Sequence, residues 1–165
     1  FKPLLAASKD AGVHFYGAFS SSSDVAAMQW LRDHAPADVR VLNHPGPHEG
    51  DWAPVIAERD TVFFRPQPFF RGTARAGAEQ DALRAFWRDP ADAAHRAALL
   101  AAGVRYVLVP QVFADPDALA DMVRWRPPLD EAASYAAGAV ADAPYLRLVF
   151  DRDGARVYEV VAGEG

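Results

Sequence analysis

Gly103-Val104-Arg105-Tyr106-Val107-Leu108-Val109 decides the fold of this chain. The glycine stops a helical pattern, and the apolar run follows it without any connecting loop. A strand with one wet face alternates polar and apolar residues, whereas this one is apolar almost throughout. It is therefore expected to be buried on both faces, as a central parallel strand is. Upstream, two helices are expected. Leu83, Phe86 and Trp87 sit at i, i+3 and i+4 in the first, and Asp89 caps the second with Pro90 in its first turn. Downstream, Asp115-Pro116 opens a helix carrying Leu119, Met122 and Val123 on one face, ended by Trp125 to Pro128. Leu129 to Ala143 is alanine-rich and reads as a helix followed by a loop. The chain closes in a hairpin, Tyr145 to Phe150 and Ala155 to Val161, turning at Asp151-Arg152-Asp153-Gly154.

The amino-terminal half repeats the helix-to-strand rhythm. A helix from about Asp24 to Ala35, with Ser23 or Asp24 as N-cap, presents Ala27, Met28, Trp30 and Leu31 on one side, and Pro36 follows it. Val39 to Leu42 reads as a strand. Asp51 is placed to cap a short helix through Ala57, with Pro54 in its first turn, and Thr61 to Phe64 reads as a second strand ended by Pro66 and Pro68. Arg65 to Gly77 reads as a loop. Strands alternating with helices and closed by a hairpin imply a three-layer α/β domain with a mixed, mainly parallel sheet. Residues 1–23 form a lead-in arm, and residues 24–165 form one domain with no internal repeat.

Composition narrows the function classes. The chain has 165 residues, a quarter of them charged and half hydrophobic, which suits one globular domain with a sizeable core. A net charge of -5 with scattered Lys and Arg argues against a nucleic-acid partner and against a polybasic membrane contact. With no cysteine, disulfides and thiolate zinc sites are excluded. No apolar run approaches the ~20 residues that span a bilayer. The chain begins at Phe1 without an initiator Met, as expected of a processed or excised piece.

The loop Asn43-His44-Pro45-Gly46-Pro47-His48-Glu49-Gly50-Asp51-Trp52 follows a strand, the position where open α/β sheets place ligand crevices. His44, His48, Glu49 and Asp51 are candidate ligands for a hard or borderline metal, which would lower the pKa of a bound water. Pro45, Gly46 and Pro47 forbid a helix between the two histidines, so no rigid metal spacing results. A solvated loop with Asp51 capping a helix accounts for the same residues. Arg65 and Arg71 flank Phe69 and Phe70, and with Trp52 they could hold an anionic or sugar-like ligand by guanidinium forks and aromatic faces. A surface ion-pair network around Glu58-Arg59-Asp60 accounts for the charges equally well. His34 reads as a hydrogen-bonded histidine near a helix carboxyl end. His14 and His95 gain no role from their neighbours. There is no Gly-rich phosphate loop, no G-x-S-x-G elbow and no cysteine nucleophile, and no cofactor is expected.

Three segments carry a resemblance. Trp30-Leu31-Arg32, Pro36 and Asp38-Val39-Arg40-Val41-Leu42 resemble the opening of a soluble domain found in bacterial polytopic membrane proteins. Gly103-Val104-Arg105-Tyr106-Val107-Leu108-Val109 resembles a strand that recurs later in such domains. Leu146 to Phe150 with Val157-Tyr158-Glu159-Val160 resembles their closing hairpin. Together the segments are similar to multi-spanning (GT-C-type) glycosyltransferases that use lipid-linked sugars, and to membrane proteins related to them. The Trp-rich motif of oligosaccharyltransferases is absent, with Trp52 standing alone. The resemblance implies a non-catalytic domain on the extracytoplasmic face of the cell membrane, anchored through a transmembrane region preceding the arm 1–23. The catalytic acids would lie in the membrane-embedded part of the same polypeptide, the domain's expected partner. The domain would help shape the acceptor or lipid-linked sugar site, with Asn43, His44, His48, Glu49, Asp51, Trp52, Arg65, Phe69, Phe70 and Arg71 as contacts. The alternatives are a stand-alone carbohydrate- or anion-binding module and a metal-dependent hydrolase.

Overall fold

The computed structural model describes residues 20–45, 52–63, 74–111 and 137–161. In chain order the elements are α1 (Ser22–His34), β1 (Arg40–Leu42), α2 (Ala53–Ile56), β2 (Asp60–Thr61), α3 (Ala74–Arg88), α4 (Ala94–Ala101) and β3 (Val104–Val109). A 3-10 helix (Ala137–Asp142) and the strands β4 (Leu146–Arg152) and β5 (Ala155–Val160) follow. The sheet order is β2-β1-β3-β5-β4. β1 pairs parallel with β2 and β3, while β5 runs antiparallel to β3 and β4. With helices on both faces, this is the expected three-layer α/β architecture with a mixed sheet and a closing hairpin.

β3 is apolar because each face meets its own core. Val104, Val107 and Val109 pack with Leu83, Phe86, Trp87 and Leu99 of α3 and α4. Leu108 and Tyr106 pack with Ala27, Met28 and Leu31 of α1 and Ala53 and Ala57 around α2. Full burial of each such Leu, Met or Phe side chain contributes about 1.5–3 kcal/mol. Strict alternation along β3 would send Val104 to the α1 side. Arg40 pairs with Val104 but Val41 pairs with Tyr106, so Arg105 is an extra residue, and this bulge turns Val104 onto the α3 side. A second irregularity lies in β4, where Leu148 pairs with Tyr158 and Phe150 with Val157. It brings Val149 and Phe150 together against the α1 core.

The helix ends depart from expectation in instructive ways. α1 starts two residues early because Ser21 is its N-cap: Ser21 Oγ accepts from the Asp24 N–H (3.0 Å), and the Asp24 carboxylate accepts from the Ser21 N–H (2.8 Å). Only Ser21 places an acid three residues on, so the reciprocal capping box selects it over Ser23. α3 begins at Ala74, inside the stretch expected as loop, where Ala and Arg favour helix. α4 begins at Ala94 rather than beside Asp89. The Ala94 N–H goes to Asp92 Oδ1 (2.9 Å), and the Pro90 carbonyl that it would reach in a helix accepts from the Tyr145 hydroxyl (2.5 Å).

That hydroxyl makes Tyr145 a pH reporter. Tyr145 is buried, and burial pushes its phenol up to about 12, with Asp92 and Asp89 adding to the effect. The folded state therefore keeps a proton that the unfolded chain releases near pH 10. The resulting stability is complete below about pH 10 and falls away towards about pH 12. Urea unfolding across this range is expected to show a steeper loss in the parent than in Tyr145→Phe.

Gly103 ends α4 with φ +74° and donates its N–H to the Leu100 carbonyl (3.0 Å). A Cβ there meets nothing within 4 Å, so Gly103→Ala isolates backbone strain. The expected loss is about 1–2 kcal/mol, read from the urea midpoint at unchanged m-value. At the hairpin, Asp153 (φ +51°) and Gly154 (φ +91°) form a two-residue turn with both residues left-handed, so β4 runs on through Arg152 beyond the expected turn start.

Candidate functional site

β1, β2 and β3 end on the same edge of the sheet, where a site is expected in this fold class. The successor of β1 lies on one side of it, and the successors of β3 lie on the other. The strand order therefore reverses between β1 and β3, which makes the crevice beyond Leu42 and Val109 the natural ligand position. Asn43 and His44 follow β1, Phe63 lies just past β2, and Gln111 lies just past β3. Ser21, Ser23 and Asp24 arrive at the same edge at the start of α1, and Asp153 arrives through the hairpin turn.

The first two residues of the polar loop point inward. Asn43 is fully buried. Its Nδ2 donates to the Phe63 carbonyl (2.5 Å), and its Oδ1 accepts from the Phe63 N–H (2.8 Å), so one side chain extends the short β1–β2 pairing by a further rung. A β2 of only two residues needs that help, which the Val62 N–H bond to the Val41 carbonyl (3.1 Å) also supplies. His44 is 1% exposed, with its ring edge-on to Trp87 at a centroid distance of 4.8 Å. Trp52 stands outside, 46% exposed, beside Val55 at 65%. Of the sequence-derived contact residues, His48, Glu49, Asp51, Arg65, Phe69, Phe70 and Arg71 lie outside the described residues. The expected cap Asp51 is among them, and the cap position of α2 is held by Trp52, which makes no side-chain capping bond. Among the described residues, no group of three or more His, Asp or Glu side chains is placed to hold a metal ion.

Asp24, expected only as a candidate N-cap, does more than cap a helix. Asp24 is 3% exposed, and its carboxylate serves two backbone N–H groups. Oδ2 accepts from the Ser21 N–H, and Oδ1 accepts from the Gln111 N–H (2.8 Å). Ser23 beside it donates to Asp153 Oδ2 (3.0 Å). The hint in the sequence was the Ser-x-x-Asp spacing from Ser21 to Asp24, which reads as a capping box. Its second duty, across 87 positions, leaves no local trace.

Arg59 closes the opposite, amino-terminal edge. Its guanidinium donates to the carbonyls of Arg32 (2.8 Å), Ala35 (2.6 Å), Ala57 (3.3 Å) and Glu58 (2.9 Å), covering the ends of α1 and α2 together. A positive fork at two helix carboxyl ends is favourable both as donor and as charge. His34, expected to be hydrogen-bonded, has Nδ1 3.0 Å from the Trp30 carbonyl, and its ring stacks on that indole at 4.8 Å. On the far hairpin, Asp151 holds the Arg156 guanidinium above its ordinary pKa through their hydrogen bond (2.9 Å).

No family model matches this chain, and no curated protein does. Among solved structures, the chain is similar to the C-terminal globular domain of an oligosaccharyltransferase from Archaeoglobus fulgidus. The two share 15% identity with a TM-score of 0.56, and the match covers 87% of this chain and 100% of the other. That likeness is one of fold. The solved neighbour is archaeal, so this likeness is not to a specifically bacterial domain. Among the described residues, no helix is long and apolar enough to cross a membrane. The fold of this chain is thus similar to that of an oligosaccharyltransferase C-terminal globular domain.

Proposed function

We propose that the chain is a non-catalytic, extracytoplasmic domain of a membrane-embedded, glycosyltransferase-like protein, and that it helps shape the acceptor or lipid-linked sugar site. The observation that carries this reading is the fold likeness, which extends over the whole of the oligosaccharyltransferase domain. The edge chemistry supports it. The polar atoms of Asn43, Ser23 and Asp24 that meet there hold backbone and turn in place, leaving none of them poised as nucleophile or base. Trp52 is the exposed contact on this reading, and the proposal extends to His48, Glu49, Asp51, Arg65, Phe69, Phe70 and Arg71 in the neighbouring stretches. The membrane-embedded part of the same polypeptide is the proposed partner.

The test uses membranes carrying the full-length polypeptide. Trp52→Ala is expected to raise the apparent KM for acceptor or lipid-linked donor about 3- to 10-fold with kcat unchanged, the signature of lost uniform binding. The isolated 165-residue chain is expected to turn over neither. Turnover by the isolated chain, or recovery of the full-length polypeptide in the soluble fraction, overturns the reading. The exposure of Trp52 also favours a second reading, a stand-alone carbohydrate- or anion-binding module. Saturable quenching of tryptophan fluorescence by a glycan or polyphosphate, abolished in Trp52→Ala, would favour that module.

A further inference from the structure

An exposed capping box stabilises one helix start and nothing else. The box at Ser21 and Asp24 is different because its acid is buried and its second oxygen serves another element. Asp24 Oδ2 fixes the peptide that begins α1, and Oδ1 fixes the first peptide beyond Pro110, where the chain leaves β3. The same turn is tied sideways by Ser23, whose hydroxyl donates to Asp153 in the hairpin. Three chain crossings at the carboxyl edge therefore share one short stretch of backbone.

We propose that Asp24 is a conformational latch that couples the segment entering α1 to the segment leaving β3. One rigid carboxylate can satisfy both N–H groups only while the Ser21 turn and Gln111 keep their mutual position. A displacement of the Ser21 backbone rotates the carboxylate and releases the Gln111 N–H. By thermodynamic reciprocity, holding Gln111 in place favours closure of the α1 turn by the same factor. The latch gives a partner that grips either segment an energetic handle on the other. The inference rests on the fold and its hydrogen bonds, not on the membrane reading, and its test uses the isolated chain.

Amide hydrogen exchange of the 165-residue protein provides that test. Ser21→Ala removes only the hydroxyl that accepts from the Asp24 N–H and touches no atom of Gln111. The Gln111 N–H is expected to exchange about 5- to 30-fold faster in this variant, the range that loss of a capping residue implies. The Phe63 N–H, held by Asn43 on the same edge but outside the latch, is expected to keep its parent rate. Asp24→Asn retains one acceptor oxygen for two donors, so either Ser21 or Gln111 is expected to lose protection. Unchanged Gln111 exchange in Ser21→Ala overturns the coupling, as does equal acceleration at Gln111 and Phe63, which would mean general loosening. Retained protection at both N–H groups in Asp24→Asn also overturns it.

Discussion

Trp87→Ala is expected to cost about 3–5 kcal/mol, the range for deleting a large buried aromatic, and it is the largest effect anticipated for any single side chain here. Trp87 is fully buried, with Phe86 edge-on at 5.3 Å and His44 edge-on at 4.8 Å. Phe86 belongs to α3 and His44 lies two residues past β1, so collapse into the void would have to pull a helix and a strand end together. Rigid surroundings of that kind keep the cavity open and the penalty high. The indole N–H has no hydrogen-bond partner among the described residues, so its loss adds little. Trp87→Phe is accordingly expected to recover more than half of the loss, because it restores ring volume and edge contacts. Urea unfolding at constant m-value checks both substitutions. If Phe proved no better than Ala, the indole nitrogen would matter more than the packing.

The second large effect is expected at Asn43. Asn43→Leu fills similar space but leaves the Phe63 N–H and carbonyl without the amide that serves both. Each unsatisfied buried group costs about 1–3 kcal/mol, and burial of the leucine side chain offsets part of the sum, so a loss of about 2–4 kcal/mol is expected. Asn43→Asp separates the two halves of the interaction. A carboxylate still accepts from the Phe63 N–H but sets a negative charge against the Phe63 carbonyl, whereas a protonated carboxyl can accept and donate as the amide does. The folded state therefore favours the protonated form and raises the pKa of the new carboxyl. The variant is expected to be nearest to parent stability at acid pH and to weaken as pH rises through that raised value. A deficit independent of pH would show that the donor half of the amide is unimportant.

These two sites mark where reading the sequence succeeded and where it stopped. Trp87 was legible because a buried helix face repeats every three to four residues, and Leu83, Phe86 and Trp87 obey that spacing. β3 was legible because burial on both faces suppresses alternation, and the hairpin because Asp-Gly favours two left-handed residues in succession. Asn43 and His44 misled for a physical reason. Polar residues amid Pro and Gly ordinarily face water, and nothing local reveals that an amide will complete a strand ladder 20 positions away. The start of α4 differs because the Ala94 N–H turns to Asp92 Oδ1 rather than to the Pro90 carbonyl, which the distant Tyr145 hydroxyl engages. The bulges at Arg105 and in β4 were likewise invisible, because a one-residue slip is defined by the partner strand and leaves no mark on composition.

The order of the strands also has a consequence during synthesis. α1 emerges from the ribosome among the first described elements, yet its apolar face packs chiefly on β5 and β4, the last two described strands. Met28, Leu31 and Trp30 therefore lack their hairpin partners throughout translation of the intervening sequence, although Val41, Tyr106 and Leu108 of the same core are made earlier. A nascent chain must keep that face soluble, or have it shielded by a chaperone, until the hairpin arrives. Burial of the apolar face of α1 is completed only once the hairpin has been made.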